Sequence, residues 1–168
     1  MNHSPNADEA RMKVRELIES IRFAMLVTTD SESAMHSRPM SLLALEDDTA
    51  WFFTDMNSPK VLEIGRDHDV LTTWANPSSQ DFVSARGTAR VMRDVSKQKE
   101  LWTEMARLWF PDGHESPNLA LIAVTIEGAE YWDSPASTAR LAIGYVRALI
   151  SKETPKTGEN AKVRFGTG

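Results

Sequence analysis

Two basic residues in the first half of the chain stand where a phosphate could bind. Arg38 lies within Met35-His36-Ser37-Arg38-Pro39-Met40, an apolar segment with the composition of a strand. Lys60 follows Ser58-Pro59, a pair typical of a helix start, because serine suits the N-cap and proline the first helical position. The backbone N–H groups and the dipole of a helix start both favour an anion. A strand arginine and a helix-start lysine could therefore converge on one phosphate.

The strands that carry these residues could also hold a flat ring. The strand that leads into the helix start reads Trp51-Phe52-Phe53-Thr54, and the preceding strand continues from Arg38 through Pro39 and Met40. Apolar strand faces beside a phosphate site suit a phosphorylated aromatic cofactor. Flavin mononucleotide (FMN) is a cofactor of this kind.

Each of these features also has a simpler structural explanation. Arg38 could pair with a surface carboxylate of the protein itself, and helix capping alone would account for Ser58 and Pro59. The presence of Lys60 in the same pattern favours a phosphate over a protein carboxylate as the partner of Arg38. We expect four tryptophans to pack in the core or in a subunit interface, namely Trp51, Trp74, Trp102 and Trp109.

Length and composition indicate one ordinary soluble domain. The chain has 168 residues, of which 41% are hydrophobic and 26% are charged. Its net charge of -5 argues against a nucleic-acid partner, since such binding usually rests on basic residues. It has no cysteine, which excludes disulfides and thiolate catalysis. With no signal-peptide pattern and no long apolar run, we expect a cytoplasmic protein that does not enter a membrane.

Several familiar site patterns are missing from the sequence. The four histidines are far apart and no cysteine accompanies them, so we expect no metal site. The glycine-rich motifs of dinucleotide and nucleoside triphosphate sites do not occur. The G-x-S-x-G motif of many hydrolases is absent as well.

The hydrophobic pattern predicts both helices and strands. Asn6, followed three residues later by Glu9, has the pattern of a capping box at the start of the first helix. Gly87 in the middle of a strand indicates a bulge or a close approach of another backbone. The predicted helices cover residues 6–22, 59–66, 95–109 and 137–150, and the predicted strands cover residues 23–29, 35–45, 49–54, 70–75, 81–92 and 119–132.

The order of these elements indicates an antiparallel barrel. Three strands between residues 23 and 54 follow one another with no helix between them, unlike the regular alternation of a parallel sheet. Strands joined mostly by hairpins, with helices inserted singly, favour a mainly β fold with peripheral helices, including helix 95–109 outside the barrel. We expect one domain over residues 1–150 and a polar, disordered tail over residues 151–168.

Five motifs follow one another along residues 9–132. They are Ser37-Arg38-Pro39-Met40; Trp51-Phe52-Phe53-Thr54 with Ser58-Pro59-Lys60; Val83-Ser84-Ala85-Arg86-Gly87-Thr88-Ala89; Leu101-Trp102 with Trp109-Phe110-Pro111-Asp112-Gly113; and Glu130-Tyr131-Trp132-Asp133. In this order they resemble the FMN-binding split-barrel family related to pyridoxamine 5′-phosphate oxidase, in particular its general stress protein branch. The resemblance implies an antiparallel split β-barrel. It also implies a homodimer with two FMN molecules at the subunit interface.

The resemblance implies that three residues hold the FMN phosphate. Arg38 would reach the phosphate, and Ser58 and Lys60 would complete its cradle. The chemistry of these three side chains supports the same roles, because charge-assisted hydrogen bonds to a phosphate contribute about 1.5–3 kcal/mol each.

Five further residues would surround the rest of the cofactor if the resemblance holds. The backbone of Pro39 and Met40 would line the pyrimidine side of the isoalloxazine ring. Phe53 and Thr54 would contact the ring or the ribityl chain. Trp132 would approach the cofactor from the other subunit.

Two departures from the oxidases argue against their reaction. The oxidases have a glutamine where this chain has Phe82. They also grip their substrate with an Arg-x-His pair, whereas residues 133–140 contain Arg140 with no histidine after it. We therefore do not expect this protein to oxidise pyridoxine phosphates.

Two classes of function remain open. The protein could be an FMN-dependent oxidoreductase that moves hydride or electrons between a donor, such as a reduced nicotinamide, and a small acceptor. In that case the flavin supplies the chemistry and the protein supplies binding and orientation. Alternatively, it could bind the flavin, or a deazaflavin, as a store or stress-related sensor without turnover.

Overall fold

The computed structural model of the chain describes residues 6–133 and 159–165. Over these ranges the chain consists of strands with single helices between them. In chain order the elements are α1 (Ala7–Ile21), β1 (Phe23–Thr29), β2 (Met35–Glu46), β3 (Thr49–Asp55), α2 (Pro59–Arg66), β4 (Asp69–Asn76), β5 (Asp81–Met92), α3 (Val95–Glu100), a 3₁₀ helix (Glu104–Leu108), β6 (Leu119–Asp133) and β7 (Glu159–Arg164).

Six of the strands close into an antiparallel barrel. Neighbouring strands follow the order β3-β2-β1-β4-β5-β6-β7, and β3 also pairs with β6. The second pairing closes the barrel through β6 and leaves β7 as an extra strand beside it. The prediction of a mainly β, antiparallel barrel with peripheral helices is therefore confirmed.

The strands β2 and β3 separate from each other at one end of the barrel. The ladder between them begins at the hairpin, Glu46 opposite Thr49, and ends at Leu42 opposite Phe52, with an irregularity beside Leu42. Beyond that point β2 continues on β1 alone, and the last residues of β3 continue on β6. Arg38 lies on the part of β2 that pairs with β1 alone, and α2 begins shortly after β3.

The inner face of the barrel and the helix α1 form one hydrophobic core. In β1 the burial alternates, so that Leu26 and Thr28 are buried whereas Phe23 and Met25 are exposed on the outer face. The predicted capping box at Asn6 is present and starts α1. The buried side of α1 joins the core through Ala10, Val14, Leu17 and Ile18.

Gly87 allows two strands of the barrel to approach closely. The register between β5 and β6 shifts between Arg86 and Gly87, so the predicted bulge is confirmed. A Cβ atom at position 87 would lie 2.0 Å from the carbonyl oxygen of Thr125 on β6. Only glycine leaves that space to the neighbouring backbone.

The prediction of one long helix over residues 95–109 is wrong. The α-helix α3 ends at Glu100, and a separate 3₁₀ helix covers Glu104–Leu108. The aromatic ring of Trp102, between the two helices, packs against Phe53 on β3. Leu108 and Trp109 are 78% and 69% exposed, so the expected apolar stripe does not face one surface of the barrel.

The prediction of a disordered tail is wrong for residues 159–165. β7 pairs with β6 from Gly128 to Asp133, and Val163 and Phe165 are buried in the core. The polar residues around Val163 concealed this short strand, because one face of an edge strand is solvated. The predicted helix over residues 137–150 lies outside the described residues.

Candidate functional site

Arg38 is held from the inside of the barrel by a hydroxyl and a carboxylate. Its side chain starts on the inner face of β2, where Arg38 pairs with Leu26 of β1. Nη1 donates a hydrogen bond to the hydroxyl of Thr28, and Nη2 donates to Oε2 of Glu63 at 2.9 Å. The Thr28 hydroxyl donates to the same Glu63 oxygen. The guanidinium is thus paired with a carboxylate of the protein, as the alternative to a phosphate expected. This carboxylate faces inward, however, and does not lie on the surface.

Glu63, like Thr28, is a partner of Arg38 that the sequence did not identify. Its side chain is 10% exposed, and that of Arg38 is 21% exposed, so the ion pair is largely removed from water. Glu63 lies beside Ile64 on the buried side of α2. The available signal was spacing, because a residue three positions after Lys60 shares its side of a helix.

Lys60 lies within the electrostatic reach of Arg38. The pKa of its ammonium is lowered from the ordinary value, first by burial and then by the positive charge of Arg38, while Asp55 and Glu63 act in the opposite direction. The structure therefore brings together the two cations that the sequence singled out. Two cations that are close together and partly desolvated disfavour each other. A bound anion would relieve that cost.

The start of α2 has the predicted residues but not the predicted side-chain cap. Ser58 occupies the N-cap position and Pro59 the first turn, yet no side chain caps the helix. The hydroxyl of Ser58 instead donates to the carbonyl oxygen of Asp55 at 2.7 Å, and lies 3.2 Å from the hydroxyl of Thr54. The first N–H groups of α2 therefore receive no side-chain acceptor from Ser58.

Phe53 and Thr54 lie on opposite faces of β3. Thr54 is buried on the inner face, next to Ser58. Phe53 points outward and packs against Trp102 and Phe110, with ring centroids 5.8 and 6.2 Å apart. The Phe53 ring thus belongs to a separate aromatic cluster, whereas Thr54 shares the end of the barrel with Ser58.

The remaining three predicted site residues are spread over both faces of the sheet. Met40 is buried in the core, whereas Pro39 is exposed on the outer face opposite Met25. Trp132, near the end of β6, is 40% exposed and lies directly opposite Phe82 on β5. Because Arg38 is on the inner face and Trp132 on the outer one, a single chain does not bring these two side chains together.

The outer face of the barrel carries an exposed apolar strip across four neighbouring strands. These strands are β1, β4, β5 and β6, which lie side by side in the sheet. Each contributes at least one large apolar side chain that is 38% exposed or more. The members of this outer strip are Phe23, Met25, Leu71, Phe82 and Trp132.

Two of the three histidines in the described ranges have separate polar partners. His36 lies 2.8 Å from a carboxylate oxygen of Asp30, and His68 lies 2.8 Å from the carbonyl oxygen of Ile64. Within residues 6–133 and 159–165, no group of three or more histidine, aspartate or glutamate residues is placed to hold a metal ion. Over the same ranges, no helix has both the length and the apolar character needed to cross a bilayer.

The fold and the sequence together define the family. A closed six-stranded antiparallel barrel with an appended strand is the architecture of the split β-barrel proteins. The sequence profile of the family described as pyridoxamine 5′-phosphate oxidase like matches residues 9–156. The chain belongs to this family, as the resemblance of its motifs predicted.

Three similar proteins illustrate the relationship. A protein assigned as general stress protein 26 from Jannaschia sp. CCS1 has the same fold, with a TM-score of 0.81 and 21% identity over 94% of this chain and 99% of its own. The general stress FMN/FAD binding protein of Xanthomonas citri is 26% identical, with a TM-score of 0.67 over 77% of this chain and 92% of its own. Protein bli-3 of Neurospora crassa is 26% identical over 135 residues, which are 74% of this chain and only 65% of that protein.

Proposed function

We propose that this protein binds flavin mononucleotide, with the phosphate between Arg38 and Lys60 at the start of α2. The observation that carries the proposal is that Arg38, held inside the barrel by Thr28 and Glu63, lies within the electrostatic range of Lys60, whose pKa is lowered first by burial and then by the charge of Arg38. Lys60 lies in the first turn of α2, which has no side-chain cap. The relative from Xanthomonas citri is described as an FMN/FAD binding protein, which supports a flavin.

The charges of the site suit a phosphate dianion. A dianion that leaves water needs cations or several N–H donors, because an unpaired buried ion costs several kcal/mol. Arg38 and Lys60 supply two positive charges, one of which Glu63 already offsets. The start of α2 adds the backbone N–H of Lys60, because Pro59 has no N–H and the N–H of Val61 donates to the carbonyl oxygen of Ser58. Thr54 and Ser58 add hydroxyl groups at the same end of the barrel.

We also propose that the functional unit is a homodimer. The outer strip exposes five large apolar residues on one face of the sheet, and exposed apolar surface marks an interface where it is extensive. A second copy would cover this strip and bring its own Trp132 towards a ring bound at the open end of the barrel. The exposed side chains of Leu108 and Trp109 offer further apolar surface for such a contact.

We propose that the bound flavin makes the protein an oxidoreductase. When bound, FMN supplies the hydride or electron transfer, and this chain holds its phosphate and orients its ring. The expected donor is a reduced nicotinamide and the expected acceptor is a small molecule. Phe82, in place of the glutamine of the oxidases, presents an apolar ring beside Trp132, which does not suit a pyridoxine phosphate.

The absorbance spectrum of the purified protein tests the cofactor. After incubation with excess FMN and removal of the free ligand, we expect the two visible bands of an oxidised flavin to remain with the protein. A protein that retains neither FMN nor a deazaflavin would contradict the proposal. Steady-state oxidation of a reduced nicotinamide by the loaded protein then tests turnover, and bound flavin without turnover would instead favour a store or sensor.

A further inference from the structure

We infer that Thr28 is a positioning residue of the phosphate site and acts through Arg38. The inference rests on the proposed function, because it concerns how the guanidinium is presented to the FMN phosphate. Thr28 is 1% exposed on the inner face of β1, so a ligand does not reach it from solvent. Its hydroxyl nevertheless joins the two charged groups of the site.

The hydroxyl of Thr28 completes a closed set of three hydrogen bonds. It accepts a bond from Nη1 of Arg38 and donates one to Oε2 of Glu63, while Nη2 of Arg38 is bound to the same glutamate oxygen. Both terminal nitrogens of the guanidinium are therefore held, each by a different group. Without the hydroxyl, the Glu63 bond alone would leave the guanidinium free to rotate about one contact.

This arrangement determines which donors Arg38 offers to a ligand. A guanidinium carries several N–H donors in a rigid planar fork, so two bonds to the protein leave others for a phosphate. With its terminal nitrogens fixed by Thr28 and Glu63, the plane of the guanidinium is set before the ligand arrives. Preorganised donors of this kind strengthen binding because less freedom is lost when the ligand binds.

Thr72 provides a matched control for Thr28. Both are buried threonines on the inner faces of adjacent strands, β1 and β4, at 1% and 0% exposure. The hydroxyl of Thr72 donates its hydrogen bond to the carbonyl oxygen of Ala85, and neither Arg38 nor Glu63 is its partner. Replacement of either residue by valine removes one buried hydroxyl while keeping the β-branched shape.

The test compares the affinities for FMN and for riboflavin, which lacks the phosphate, in four proteins. These are the parent, Thr28→Val, Thr28→Ser and Thr72→Val, and binding is measured by flavin fluorescence. We expect Thr28→Val to weaken FMN binding about 5-fold while riboflavin binding stays unchanged, the size expected for one hydrogen bond. Thr28→Ser keeps the hydroxyl and should restore the parent ratio. Thr72→Val should leave the ratio unchanged although it lowers the melting temperature.

The outcomes separate this inference from the proposed function. If the parent protein does not prefer FMN to riboflavin, the phosphate site is wrong and the inference falls with it. If the parent prefers FMN but Thr28→Val and Thr72→Val give the same ratio, only the inference is overturned. A loss of both ligands in equal proportion in Thr28→Val would likewise mean that Thr28 is purely structural.

A double variant tests whether Thr28 acts through Arg38. Residues in one hydrogen-bond network show non-additive effects. In the Arg38→Gln background, Thr28→Val should therefore cause no further loss of the FMN preference. If Thr28→Val still weakens FMN binding about 5-fold in the Arg38→Gln background, Thr28 does not act through Arg38 and the inference is overturned.

Discussion

Arg38 on β2 and Lys60 on α2 stand close enough for one charge to influence the other. Burial lowers the pKa of the Lys60 ammonium most, and the positive charge of Arg38 lowers it further. Glu63 bonds to Arg38 at 2.9 Å and acts against the shift at Lys60. The protein thus maintains two neighbouring cations with one inward-facing carboxylate between α2 and β2, an arrangement that favours an anionic ligand.

Replacement of Lys60 by alanine should weaken FMN binding selectively. Loss of one charge-assisted bond to the phosphate costs about 1.5–3 kcal/mol, which corresponds to a roughly 10- to 150-fold higher dissociation constant. Riboflavin should lose little, since it has no phosphate. Fluorescence titration of both ligands measures the difference, and Lys99→Ala, at an exposed lysine of α3, is the control. An equal loss for the two ligands would show that Lys60 does not contact the phosphate.

Replacement of Lys60 by methionine should stabilise the ligand-free protein at neutral pH. The pKa of Lys60 is lowered in the folded state, so the folded state binds its proton less tightly than the unfolded state does. The resulting penalty is fully present at neutral pH. It disappears as the pH rises through the lowered pKa towards the ordinary value of 10.5, where the unfolded state also loses the proton.

Melting temperatures in phosphate-free buffer measure this effect. The methionine variant should melt above the parent protein at pH 7, and the difference should shrink as the pH approaches 10. A variant that is less stable than the parent at pH 7, or a difference that grows with pH, would contradict the assigned environment of Lys60.

A charge in the outer strip should separate the proposed dimer. Phe82 and Trp132 lie opposite each other and are 39% and 40% exposed, so Phe82→Glu would place a carboxylate within the proposed interface. Desolvation of that charge should shift the sedimentation mass from about twice 18.8 kDa to the monomer value. Met12→Glu, at a 62% exposed position on α1, should leave the mass unchanged. A parent protein that sediments as a monomer with FMN bound would count against the dimer.

Two glycine-to-alanine changes should have opposite effects on stability. At Gly87 the new Cβ atom would lie 2.0 Å from the carbonyl oxygen of Thr125, so backbone must move at a cost of about 3 kcal/mol or more. At Gly65, within α2, the Cβ atom meets nothing within 4 Å, and alanine should add about 0.5–1 kcal/mol of helix stability. Urea unfolding of both variants measures the difference. A tolerated Gly87→Ala would mean that β5 and β6 approach less closely.

The strands and the start of α2 could be predicted because their signals are local. Three local signals depend on residues a few positions apart: the alternation of buried Leu26 and Thr28 with less buried neighbours, the capping box at Asn6, and the Ser58-Pro59 pair. Backbone preference and the partition of side chains between water and core act over the same distances. These signals were sufficient for the antiparallel barrel and for the two cations of the site.

The interruption of α3 and the strand β7 depended on contacts between distant segments. Trp102 leaves the helical stripe because its ring packs on Phe53, which is far away in sequence. Val163 becomes part of the core only because β7 pairs with β6. The pattern of polar and apolar residues predicts neither contact, because it does not show which distant segments pack together.

The immediate environment of Arg38 was decided by tertiary structure alone. Sequence identified Arg38 as a basic residue on a strand and left both a phosphate and a protein carboxylate as partners. The docking of α2 against β1 and β5 then brings Glu63 to Arg38, and the Thr28 hydroxyl bonds to both. Pairing of buried charges depends on distance and on the exclusion of water, and both exist only after the barrel has closed.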